Sequence, residues 1–116
     1  MNTRILLVGL AVASSATAAF AHAFVQRADP GAGATLQAPP GKVALTFTEK
    51  LEPVFSGVTV IDASGHSVEA RAPAISGNSM IVPLLPLGPG KYRVIWHVVS
   101  VDTHRTEGGY SFTVKR

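Results

Sequence analysis

Trp96-His97-Val98-Val99-Ser100-Val101-Asp102-Thr103-His104, running on through Arg105 to Phe112, is the stretch that decides the fold. It opens as an apolar, β-branched run and closes on a polar Asp-Thr-His. Read back to residue 91, the run carries Tyr92, Val94 and Trp96 against Ile95 and Val99. Apolar residues on both faces predict a central sandwich strand over 91–99. Side chains alternate along an extended segment, so Asp102 and His104 would share one face while Thr103 points away. A carboxylate beside an imidazole supplies half of a metal site.

Outward from that strand, the chain is a series of short extended segments. Lys42-Val43-Ala44-Leu45-Thr46-Phe47-Thr48 places Val43, Leu45 and Phe47 on one face, and Glu49 continues that inward parity at the strand end. A first strand is read over 22–27, a strand over 57–61, and a hairpin return arm over 66–70 after the Asp62-Ala63-Ser64-Gly65 turn. Short strands over 79–83 and 109–114 complete the set, with Asp29-Pro30-Gly31, Pro39-Pro40-Gly41 and Pro86-Leu87-Gly88-Pro89-Gly90 as breaks. About seven short strands with no helical period predict an all-β, Greek-key β-sandwich, immunoglobulin-like or cupredoxin-like in architecture. The Cys pair of true immunoglobulin domains is absent.

The N-terminal end does not fit that pattern. Met1-Asn2-Thr3-Arg4 is a short positive region, residues 5–13 are apolar, and Ala19-Phe20-Ala21 is an Ala-x-Ala cleavage site. Residues 1–21 therefore read as a secretory signal peptide; the apolar run is shorter than the roughly 20 residues a membrane span requires. Cleavage after Ala21 leaves one domain, residues 22–116, and removing Arg4 lowers the formal charge from +3 to +2. No cluster of Lys and Arg accompanies that small excess, which speaks against a nucleic-acid ligand. With no second apolar run, the mature chain has no membrane span.

There are no cysteines, and once Met1 is gone the only methionine is Met80. Metal ligands must then be nitrogen and oxygen, a set that favours Cu(II), Zn(II) or Ni(II) over Cu(I). Cleavage would make His22 the first residue, with a free α-amine and a ring nitrogen able to close one chelate ring. Reference pKa values near 8 for such an amine and about 6.5 for imidazole keep both accessible near neutral pH. With His104 and Asp102 the set is three nitrogens and one oxygen, which suits Cu(II). The plain alternative is that His22 merely follows the leader and Asp102-Thr103-His104 is a polar loop.

His22 at the expected mature terminus, Phe47-Thr48-Glu49, Gly90-Lys91-Tyr92-Arg93-Val94-Ile95-Trp96 and Val99-Ser100-Val101-Asp102-Thr103-His104 together resemble the CopC family of periplasmic copper proteins. The resemblance covers nearly the whole of residues 22–116, in order. It implies a small β-sandwich binding one Cu(II) through His22, Asp102 and His104, with Glu49 as a ligand or close neighbour. It also implies periplasmic sequestration or carriage of copper for resistance and homeostasis, without catalysis, with transfer to an inner-membrane copper transporter of the CopD type. A monomer is expected. Some members carry a Met-rich Cu(I) loop; the matching region, roughly 60–82, has only Met80 and His66. A copper-dependent oxidative enzyme built on an N-terminal histidine is the competing reading. The short chain, its few aromatics and the presence of Asp102 stand against it. His97 reads as a core or packing histidine rather than a ligand, His66 as solvent-facing, and Ser100 and Thr103 as hydrogen-bonding supports for Asp102 and His104.

Overall fold

In a computed structural model, the structure describes residues 25–116. Eight strands are present among them: β1 (Val25–Asp29), β2 (Thr35–Leu36), β3 (Lys42–Phe47), β4 (Gly57–Ile61), β5 (Ala74–Ser76), β6 (Ser79–Pro83), β7 (Gly90–Val99) and β8 (Arg105–Val114). They form two four-stranded sheets, ordered β1-β3-β6-β5 and β2-β8-β7-β4. The all-β sandwich expected from the sequence is present. The expected leader, and the part of the first strand before Val25, lie outside the described residues.

Alternation explains the core. β3 buries Val43, Leu45 and Phe47; β6 buries Met80 and Val82; β7 buries Tyr92, Val94, Trp96 and Val98; β8 adds Phe112 and Val114. Each such side chain contributes about 1.5–3 kcal/mol when taken fully out of water. The two sheets meet in an edge-to-face contact of Phe47 with Trp96, ring centroids 5.4 Å apart and planes at 78°. Trp96 has room because its cross-strand partner on β8 is Gly108. A Cβ at Gly108 would stand 2.3 Å from Trp96 Cζ2.

Several sequence expectations need correction. β7 is apolar on one face only: Ile95 is 41% exposed and His97 is exposed. The ring of His97 leans over Gly57 of β4, so it is an outward-facing cover and not a core histidine. Residues 66–70 make no strand; single bridges join Ser67 to Ile61 and Glu69 to Leu84. The partner of β4 in its sheet is instead β7. β2 and β5 were not anticipated, and β8 begins at Arg105, not Gly109.

Candidate metal centre

The β7–β8 pairing runs to Val99 opposite Arg105, and the chain reverses between them. Ser100 N–H donates to His104 O at 2.9 Å and Thr103 N–H to Ser100 O at 2.8 Å. Val101, Asp102 and Thr103 thus form a three-residue hairpin loop closed by a residue in the left-handed region, Thr103 with φ of 73°. Asp102 and His104 are therefore brought together by a turn. The extended continuation expected from alternation is not what places them.

Asp102 is held from three sides by its own hairpin. Ser100 Oγ donates to its Oδ1, His104 N–H approaches the same oxygen at 3.3 Å, and His104 Nδ1 lies 3.2 Å away. The Ser100 hydroxyl, followed by the His104 ring, holds the Asp102 carboxyl down to about 2. Ser100 itself is fully buried, a polar residue within the core. The support anticipated from Ser100 is present. Thr103 acts on the backbone instead, its hydroxyl donating to Asp102 O. Both site side chains stay open to solvent, Asp102 at 46% and His104 at 78%. Nδ1 of His104 lies beside the carboxylate while most of its ring stays exposed.

Neighbouring segments converge on this end of the sandwich. Val25 pairs with Phe47 at the start of β1. Just beyond Phe47, Lys50 O accepts from Val101 N–H at 3.0 Å, and Leu51 bridges Ser100. Glu49 lies on that connection, beside the hairpin, but exposed in a bend after β3 has ended; its expected inward parity does not hold. A cleft of about 420 Å³ adjoins the hairpin, lined by Phe55, His97, Thr103, Arg105 and Glu107 among others; neither Arg105 nor Phe55 was singled out from the sequence. His66 is solvent-facing as expected, 3.8 Å from Asp62 and in the turn beyond the far end of β4. Met80 is fully buried in the core.

Among the described residues, no group of three or more His, Cys, Asp or Glu side chains could hold a metal ion. Asp102 and His104 supply two donors of the right chemistry, an ionised carboxylate and an open imidazole. His22, the third expected ligand, lies outside the described residues.

A small two-sheet sandwich with an Asp-His pair exposed on one hairpin end defines the class: a compact all-β domain with a polar hairpin end. Residues 25–115 match the CopC domain, and the chain belongs to the CopC family of copper resistance proteins. Copper resistance protein C of Escherichia coli is 41% identical over 125 residues, covering 99% of this chain and 98% of its own. Among solved structures, CopC from Methylosinus trichosporium OB3b superposes with a TM-score of 0.74 at 31% identity, covering 81% of this chain and 94% of that one. PcoC of Escherichia coli, described as a methionine-rich copper resistance protein, gives 0.70 at 38% identity, covering 82% and 100%.

Proposed function

We propose that this chain is an exported, non-catalytic protein that binds one Cu(II) through the α-amine and ring of His22, the ring of His104 and the carboxylate of Asp102. In this reading it works in the periplasm, sequestering copper or passing it to a membrane transporter of the CopD type. The observation that carries the proposal is the Asp102–His104 pair: a buried serine fixes an ionised carboxylate beside an imidazole that remains open to solvent. A carboxylate that needs no deprotonation, joined to nitrogen donors, suits Cu(II) better than Cu(I). The position of Val25 supports the remaining donors. Three extended residues reach about 10 Å, and β1 begins at the same end of the sandwich as the hairpin. Whereas PcoC is described as methionine-rich, this chain has two methionines, Met1 and the buried Met80. That contrast favours a Cu(II) protein without a separate Cu(I) site.

The test compares Cu(II) affinity and the EPR spectrum of a chain beginning at His22 with one beginning Gly-His22. Converting the amine to an amide keeps every side chain and removes one donor of about four. A loss of at least tenfold, about 1.4 kcal/mol, is expected. Identical affinity and spectra would refute the chelating terminus.

A further inference from the structure

We propose that the apolar turn Pro53-Val54-Phe55, beside the Asp102–His104 hairpin, is the anchor by which this chain docks on a partner protein that presents an apolar pocket with a basic rim. For the partner's place, at the periplasmic face of a membrane, this rests on the proposed function; the turn itself is independent of it. The β4–β7 ladder ends at Gly57 opposite His97, and the chain meets that strand line again where Leu51 bridges Ser100. From Leu51 to Gly57 the chain takes six steps, while the facing segment takes three from Ser100 back to His97. The surplus is thrown outward as a 3₁₀ turn over Pro53–Phe55. It carries two apolar side chains into solvent, Val54 at 85% exposed and Phe55 at 63%. Val101, on the hairpin, is exposed as well.

Single exposed apolar residues are ordinary on a protein surface, but these are held in place. Glu52 N–H donates to Val99 O at 2.8 Å and Val99 N–H to Ser56 Oγ at 3.1 Å. Both ends of the turn are thus tied to one residue at the base of the hairpin. Phe55 N–H donates to Glu52 O at 3.1 Å within it, and Pro53 fixes the entry dihedral. Extra residues that re-aim side chains beside a strand pair are built features of a fold. An aromatic ring presented on a fixed backbone loses little freedom on entering a pocket, and such anchors dominate binding energy at interfaces. Phe55 lines the cleft that Thr103 and Arg105 also line, so the anchor adjoins the hairpin.

Charge sets the kind of partner. Glu49, Glu52, Asp102 and Glu107 lie on the connection, the hairpin and the cleft, against Lys50 and Arg105. Four of the chain's seven acids therefore stand around this turn with two of its ten bases. An anionic lipid surface attracts Lys and Arg and repels such an end. Two copies set face to face would oppose like charge. A protein with Lys or Arg around an apolar pocket complements both the turn and its rim.

The test uses metal-free chain beginning at His22, labelled on a cysteine added after Arg116; the chain has no other, and β8 carries that terminus away from the hairpin. The probes are right-side-out cytoplasmic-membrane vesicles from the cell that makes this chain, grown with added copper, and protein-free liposomes of the lipids extracted from them. Saturable binding to the vesicles and none to the liposomes is expected. Val54→Ser with Phe55→Ser should weaken it at least about tenfold. Glu52→Lys with Glu107→Lys should weaken it too, whereas Ile95→Ser, at an exposed apolar residue of the outer sheet face, should not. The melting temperature and Cu(II) affinity of the Val54→Ser, Phe55→Ser chain should stay unchanged, which separates docking from folding and from metal binding. Vesicle binding that this variant keeps, or no saturable vesicle binding at all, overturns the anchor. Equal binding to liposomes makes the occupant lipid, and a sedimenting dimer that the same variant abolishes makes it a second copy; either result refutes the partner proposed. If the Gly-His22 chain docks normally yet binds Cu(II) with unchanged affinity, the chelating terminus falls and the anchor stands.

Discussion

Replacing Ser100 with alanine tests how the site is pre-set. Ser100 is fully buried, and its hydroxyl is the largest influence lowering Asp102 to about 2. Its N–H bond to His104 O at 2.9 Å belongs to the backbone and survives the change. The hairpin should therefore still form, while the Asp102 carboxylate keeps only the two His104 donors. Its pKa should rise toward the ordinary value of 3.8. That rise cannot weaken copper binding through proton competition at pH 7, because the acid is ionised in both proteins. Any loss at neutral pH must come from a carboxylate no longer aimed. Residues that orient a metal ligand typically contribute 10–100-fold to affinity, so at least tenfold weaker Cu(II) binding is expected. Competition titration against a chromophoric chelator measures it, and a carboxyl NMR titration checks the accompanying pKa. A risen pKa with unchanged affinity at pH 7 would refute the orienting role of Ser100.

Gly108→Ala should destabilise the domain by about 1–3 kcal/mol or more, since its Cβ would meet Trp96 Cζ2 at 2.3 Å; denaturant unfolding with unchanged stability would show that Trp96 is free to move. Thr103→Gly should stabilise by about 0.5–1 kcal/mol. A left-handed non-glycine residue costs about 1–2 kcal/mol and glycine returns part of that through unfolded-state entropy, so a lower melting temperature would contradict the strain inferred from φ of 73°. Cu(II) affinity should fall steeply below about pH 6, with more than one proton taken up per copper released, because protons compete at an amine and at imidazoles. Asp102 adds no proton in that range. Its folded pKa of about 2 lies below the ordinary value of 3.8, so its stabilising contribution is complete above about pH 4 and is lost only toward pH 2. A single-proton dependence measured by titration at several pH values would leave Asp102 and one nitrogen as the whole site.

What was legible in the sequence is what burial dictates. Val43, Leu45 and Phe47 alternate because one face of β3 meets the core, and Trp96 announces β7 for the same reason. Parity failed where a strand stopped. Glu49 lies two residues beyond the end of β3, and the bend after Phe47 resets the face it shows. It failed again at Asp102-Thr103-His104, because the left-handed position of such a loop usually carries glycine or asparagine. A β-branched threonine there reads as continued strand. Residues 66–70 alternate like a strand, yet their backbone bonds are split between Ile61 on one side and Leu84 on the other. Three-residue β5 is too short for any period to show. Ile95 was misplaced because a bulky apolar residue on an outer face looks like evidence of a second core.

The site divides along the same line. Its hairpin half is set by local chemistry that the sequence partly displays: a serine two residues before an aspartate, and a histidine two residues after it. One buried hydroxyl and one turn are enough to join them, and no distant residue is required. In the proposed site the other half comes from His22, far away in the chain, and no local pattern joins it to the hairpin. Two donors on a solvent-exposed loop hold a metal weakly, since each must also be desolvated and a Cu(II) ion prefers about four ligands. Anything that binds the folded form adds to its stability by mass action, about 2.7 kcal/mol when the ligand stands a hundredfold above its dissociation constant. Copper bound at Asp102 and His104 should thus protect the 100–104 hairpin first, and the core around Phe47 and Trp96 least, because that core is already closed without it.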